Sequence, residues 1–343
     1  MTLPRRLLLA TPATLAMPAV ARAQTQYKAE YKVSTVGDRP IALADGAFRW
    51  AALVTERSSG RITMKVYPGS QLVGGDQTRE LVAMRQGVID MATFSTINIS
   101  PQVREMNVFS LPFLLRDARG FDALIRGEVG RELERIIATR DVVPMAWGQN
   151  GFREVSNSKR PIREPADLRG LKIRFATGAI FSEMFSALGA NPVQMSFADL
   201  QPALSTGAVD GQENPVNLFL ALRLDALGQK HLTLWNYVAD AGLFVVAKPV
   251  LESFTPADRD LVRQCAMEAA EAQIKASRAG LGTYGDRSSL EELARREVAV
   301  VTSTDAEKQA FAALTKPVYD KWTRSVGTDL VRRAEAAVRA ARS

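Results

Sequence analysis

From Tyr27 onward, short apolar runs alternate with stretches whose apolar residues recur every three or four positions. Strands and helices taking turns in this way define an α/β architecture. YKAEYKVSTV reads as a strand, IALADGAFRWAALVTERSSG as a helix closed by Gly60, and RITMKVYPG as the next strand. DQTRELVAMRQG predicts a helix ending at Gly87, VIDMATFS a strand, and PQVREMNVFSLPFLL an irregular apolar connection. ARGFDALIRGEVGRELERIIATR is helical and VVPMAWGQ is a strand, which completes one αβ domain near Asn150.

The chain then enters a second unit. GFREVSNS is a short strand, LKIRFAT another, GAIFSEMFSALG a helix ending at Gly189, and NPVQMS a further strand. Ser196 or Asp199 caps a short helix that contains Pro202 and closes at Gly207, ahead of AVDGQ. LFVVAKPVLESF reads as a strand that turns back, and TPADRDLVRQCAMEAAEAQIKASRAGLG as a long helix opened by a capping box. These two stretches suggest a chain that leaves the first domain and later returns to it. A length of 343 residues leaves room for two cores, since single cores stop growing near 250–300 residues.

The first 23 residues read as an address rather than as part of the fold. Arg5 and Arg6 precede an uncharged apolar stretch from Leu7 to Val20, and Ala21-Arg22-Ala23 is a small-x-small cleavage site. The stretch is too short to span a bilayer and carries Pro12 and Pro18, so a removable export signal is expected, with the arginine pair pointing to the twin-arginine type. No later segment reaches the length of a membrane span. The formal charge of +7 includes three arginines of this segment, and the rest of the excess is interleaved with acidic residues, as in REPADLRGLK. That pattern is a solvated mixed surface and speaks against a nucleic-acid partner.

Catalytic and metal chemistry are short of material. His231 is the only histidine, in the polar stretch LGQKHLTL read as a loop, and no G-x-S-x-G lies near it. Cys265, the only cysteine, falls on an apolar helical pattern as a packed side chain, so neither an internal disulfide nor a His/Cys metal site is available. There is no P-loop and no G-x-G-x-x-G, and Glu132 and Glu134 lie among arginines on a helix face. No cofactor is expected.

Three polar residues stand at the ends of apolar strands, where αβ sheets present ligands: Arg153 in NGFREVSNS, Arg174 in LKIRFATG and Asn214 in AVDGQENP. A buried charge costs several kcal/mol unless it is paired. Arg174 therefore needs a carboxylate, either an internal one such as Glu183 or Asp210 or one brought by a ligand, for which a planar guanidinium is well shaped. Residue types and spacing leave both open.

The run from Asn150 to Pro215 carries Asn150-Gly151-Phe152-Arg153, Asn157-Ser158-Lys159-Arg160-Pro161-Ile162, Asp167 to Arg174, Leu188-Gly189-Ala190-Asn191-Pro192 and Val209 to Pro215. Together with Arg61 to Leu72 and Leu111-Pro112-Phe113, these segments resemble, in order and spacing, the DctP-type extracytoplasmic solute-binding subunits of tripartite ATP-independent periplasmic (TRAP) transporters. The resemblance implies a two-domain, periplasmic-binding-protein-like clamp with strands crossing between domains and a long helix in the second half spanning both. It implies domain I from residues 24–150 plus about 241–280, and domain II from 151–240 plus about 281–343. The function implied is capture of a small organic acid in the periplasm and delivery to TRAP permease subunits, by a monomer or a homodimer. An exported enzyme acting on a carboxylate, or a receptor for an ATP-driven transporter or sensor, is the alternative.

The arginine of the family's K-I-R segment, which holds the substrate carboxylate, corresponds to Arg174. That of N-G-x-R corresponds to Arg153, the asparagine of G-Q-E-N to Asn214, and the aromatic residue of M-x-F to Phe197. Gln77, Ser95 and Asn98 are the matching positions of the first domain. Where many members carry a threonine and a histidine this chain has Trp235-Asn236-Tyr237, which places Tyr237 at the cleft as an added aromatic surface.

Overall fold

The computed structural model describes residues 27–342, and the export signal expected in residues 1–23 lies outside them. Nine strands form one mixed sheet: β1 (Tyr31–Thr35), β2 (Met64–Tyr67), β3 (Met91–Ser95), β4 (Val142–Asn157), β5 (Lys172–Phe175), β6 (Asn191–Gln194), β7 (Gly211–Asn214), β8 (His231–Ala247) and β9 (Ala299–Thr302). Their order is β2-β1-β3-β8-β4-β7-β5-β6, with β9 on the first half of β8. Parallel pairs at each end, β1 with β2 and β3, and β5 with β6 and β7, follow from the helices that return the chain between them.

Two strands run through both halves. β4 and β8 are 16 and 17 residues long and pair antiparallel from Val142↔Ala247 to Asn157↔His231. The end of β8 meets β3, while the end of β4 meets β7, so the pair joins a first lobe built on β1–β3 to a second built on β5–β7. The expected break near Asn150 is therefore a bulge inside one strand: the register shifts between Gln149 and Gly151, and Gly151 has φ 146°, a backbone that favours glycine. A Cβ there would lie 2.6 Å from Cβ of Pro215. His231 likewise stands at the start of β8, paired with Asn157 and Ala299, rather than in a loop; a polar edge is tolerated because β9 covers it.

A second bulge interrupts the same strand pair further along. Between Val238 and Thr233 the β8 chain gains residues against β4, and Asn236 takes φ 49°. The Glu154 carboxylate accepts from the backbone N–H of Trp235 (2.7 Å) and Asn236 (3.1 Å), supplying the acceptors that the interrupted ladder lacks.

Thr255 caps the long helix Pro256–Arg278 by accepting from Asp258 N–H. It packs on helix Ala42–Arg57, where Trp50 donates to the Val262 carbonyl, and on β4. Its Gln273 side chain enters a slot walled by Gly46, Gly148 and Gly242, at each of which an added Cβ would collide with the amide. From the slot Nε2 donates to the Leu43 carbonyl. One turn on, Arg278 donates to Gln149 and grips Asp122 through two nitrogens. The residue boundaries of the lobes, up to 150 with about 241–280 for one and 151–240 with about 281–343 for the other, we propose from this crossing. Helix Thr328–Ala340 nevertheless packs back on Ala118–Arg126 and Glu128–Ala138 of the first lobe. Among the described residues no helix is long and apolar enough to cross a membrane.

Candidate functional site

Between the lobes lies a cavity whose wall contains seven of the eight residues singled out from the sequence: Gln77, Ser95 and Asn98 on one side, Arg153, Arg174, Phe197 and Asn214 on the other. Asn150 and Asp240, from the crossing strands, complete the polar lining. Val36, Ile41, Leu43, Ala176 and Leu218 supply apolar wall. The cavity volume is about 30 Å³, room for about two or three waters. The lobes touch at its mouth: Phe197 N–H donates to Oε1 of Gln77 at 3.2 Å, and Ile41 and Leu43 pack with Leu218.

Arg174 is fully buried on β5. Nη2 donates to the Met195 carbonyl at 2.7 Å, whereas Nε and Nη1 have no hydrogen-bond partner among the described residues. Neither internal carboxylate considered from the sequence reaches it. Glu183 is held by Lys321 and Trp322, and Asp210 accepts from the Lys172 backbone and faces Lys159. Burial pulls the guanidinium pKa down to about 10, with Arg153 adding to the fall and Glu213 opposing it, so the group is charged at neutral pH without an ion-pair partner.

Arg153 has the opposite surroundings. Its Nε donates to Glu213 Oε2, and Nη2 donates to Oε1 of the same carboxylate at 2.6 Å. Nη1 meets Asp240 Oδ2 at 3.3 Å and Nη2 reaches Asn214 Oδ1 at 3.0 Å. Burial works against its charge, but the attraction of Glu213 and Asp240 outweighs it and raises the pKa above the ordinary value. Arg153 thus lines the cavity with its charge already matched. Asn214 is positioned by this network and by donation to Gln212 Oε1.

Tyr237 is the residue the structure separates from the set. It sits in the β8 bulge, edge-on to Phe181 and tilted against Trp235 and Phe185, and its hydroxyl donates to Glu213 Oε2 at 2.9 Å. It lies behind the arginines rather than in the cavity wall. Asp240 is the charged residue of the cavity wall missed from the sequence. Its signal was present: a lone carboxylate inside the apolar run YVADAGLFVV, the same kind of anomaly that drew attention to Arg174. Buried with 1% of its surface exposed, Asp240 accepts from Ser95 Oγ (2.7 Å), Thr96 Oγ1 (3.4 Å) and Asn150 Nδ2 (2.8 Å) as well as from Arg153.

Two lobes on shared strands, meeting over a buried cavity lined by arginine, are the build of an extracytoplasmic solute-binding protein. Within that class, the chain belongs to the DctP family of TRAP periplasmic solute-binding proteins, bacterial extracellular solute-binding protein family 7, which matches residues 39–325. A crystal structure of a TRAP periplasmic solute-binding protein from Ralstonia eutropha, with bound (S)-2-hydroxy-2-methyl-3-oxobutanoate, is 52% identical, with a TM-score of 0.89 over 91% of this chain and 99% of that one. The 2,3-diketo-L-gulonate-binding periplasmic protein of Escherichia coli is 30% identical over 88% of this chain and 89% of its own length. An uncharacterized Sinorhizobium fredii protein is 31% identical over 92% of this chain, which spans 57% of that protein's length.

Proposed function

We propose that this protein captures a small organic acid by a salt bridge from Arg174 to its carboxylate, closes around it, and presents it to a TRAP permease. The observation that carries the reading is the fully buried Arg174 guanidinium with two unpartnered nitrogens in the wall of a cavity between lobes. A two-pronged carboxylate satisfies both the charge and the donors. Gln77, Ser95, Asn98 and Asn214 supply neutral polar contacts, and Phe197 with the aliphatic wall takes the carbon skeleton. Closure excludes water, strengthens the ion pair, and is driven by the ligand's preference for the closed arrangement.

The ligand of the Ralstonia relative makes (S)-2-hydroxy-2-methyl-3-oxobutanoate the first acid to try. Titration calorimetry of the mature protein against that acid and a panel of organic acids tests the reading. Saturable binding with the acid recovered unchanged after long incubation is expected. Turnover of the acid would favour an exported enzyme instead, and no binding by any acid would remove the proposal.

A further inference from the structure

We infer that Asp240 sets the charge this cleft accepts, admitting compact monocarboxylates and turning dicarboxylates away. The inference rests on reading the cavity as a carboxylate site and adds which carboxylates.

The argument is one of charge balance. Two guanidiniums line the cavity, but Arg153 faces two carboxylates, Glu213 through both of its oxygens and Asp240 through Oδ2. That corner carries one negative charge more than its cation matches. Burial pushes the Asp240 carboxyl up, and the donors around it, Arg153, Asn150, Ser95 and Thr96, work against that push in favour of the ionised form. Glu213 is held in the same way by Arg153 and by the Tyr237 hydroxyl.

Arg174 remains with two free donors, enough for a single carboxylate. The other polar groups of the wall are neutral amides and a hydroxyl. Arg39, in the adjoining cleft that shares Gln77 and Phe197 with the cavity wall, is taken by Asp45 at 3.1 Å and by the face of Phe48. A second carboxylate on the ligand would thus be buried against the uncompensated charge of the Arg153 corner, in a cavity of only about 30 Å³. An uncharged hydroxyl, keto or amide end meets no such opposition. Without Asp240, Arg153 and Glu213 would balance one another and the repulsion would be gone.

Succinate and its monoamide succinamate share size and shape and differ by one charge, so the pair isolates the effect. Calorimetry at pH 7 on the mature wild-type protein is expected to show succinamate, and (S)-2-hydroxy-2-methyl-3-oxobutanoate with it, binding at least tenfold tighter than succinate. Asp240→Asn is expected to shrink the succinamate-to-succinate ratio by tenfold or more. Succinate binding as tightly as succinamate to the wild type would overturn the inference while leaving the carboxylate site standing, as would an unchanged ratio in Asp240→Asn. Failure of all three acids to bind the wild type, with another monocarboxylate of the panel binding no better than its dicarboxylate counterpart, would overturn the inference, and failure of the whole panel would sink both. Should the variant not fold, the wild-type ratio alone decides.

Discussion

Two arginines of one cavity show how partners rather than residue type set a role. Arg153 and Arg174 are both buried, but only Arg153 has its own carboxylates. Breaking a desolvated ion pair costs about 3–5 kcal/mol, so Arg174→Ala is expected to weaken acid binding by two orders of magnitude or more, measured by calorimetry. Arg174→Lys should recover little, because one ammonium cannot reproduce the two-pronged geometry. Arg153→Ala should instead unfold or strongly destabilise the protein, since it strands two buried carboxylates. Arg174 was legible in the sequence as a charge closing an apolar run. Asp240 was not, although an acidic group in a strand that pairs on both sides is the same signal.

Glu80 offers a test independent of the ligand. It is buried with Oε2 unpartnered, and burial lifts its pKa from 4.5 to about 7 against the pull of Ser34 and Ser70. The folded state holds this proton more tightly than the unfolded chain. Its contribution to stability is therefore full below about pH 4.5 and is lost as pH rises through about 7. The loss is on the order of 3 kcal/mol. Denaturant titrations from pH 5 to pH 8 should show Glu80→Gln losing less stability than the wild type over that range.

Among elements, the long strands and the long helix decide the architecture. Local signals named helices Ala42–Arg57, Glu80–Arg85, Ala179–Ala187, Leu200–Thr206 and Pro256–Arg278 within a few residues, because caps and glycines are written at their ends, as at Thr255, Gly60, Gly87 and Gly207, whereas Lys248–Ser253 was read as strand and the elements after Gly282 were not named. The continuity of β4 was hidden because Asn150-Gly151 looks like a turn when read alone. Only its neighbours, β8 along its length and β7 at its end, reveal a bulge. The start of β8 was hidden for a similar reason: its polar residues are covered by β9, whose paired residues lie 68 positions later in the chain, Ala299 against His231. The slot that receives Gln273 makes a further prediction. Gly148→Ala drives a Cβ into Oε1 of Gln273 and should cost about 1–3 kcal/mol by overpacking. Combining it with Gln273→Ala should cost less than the sum of the single changes in thermal or denaturant unfolding, the non-additivity expected of residues in contact.

For the whole molecule, the two-lobe arrangement was legible because the motifs from Asn150 to Pro215 and from Arg61 to Leu72 carry the family pattern, while the path of the C-terminal helix back to the first lobe had no local signature. Among the described residues, the mouth is closed by a hydrogen bond from Phe197 to Gln77 and a small apolar cluster around Ile41, Leu43 and Leu218. Such a seal is weak enough for bound acid to tip the balance between open and closed forms. Small-angle scattering is expected to show the radius of gyration falling when a tightly bound acid is added, and Arg174→Ala should leave it unchanged at the same concentration. Since β4 and β8 both pass through the two lobes, the halves share a common spine, and parting them means flexing it at its bulges. Under the proposed function, the membrane partner would then tell loaded from unloaded protein by the degree of bend in this one spine.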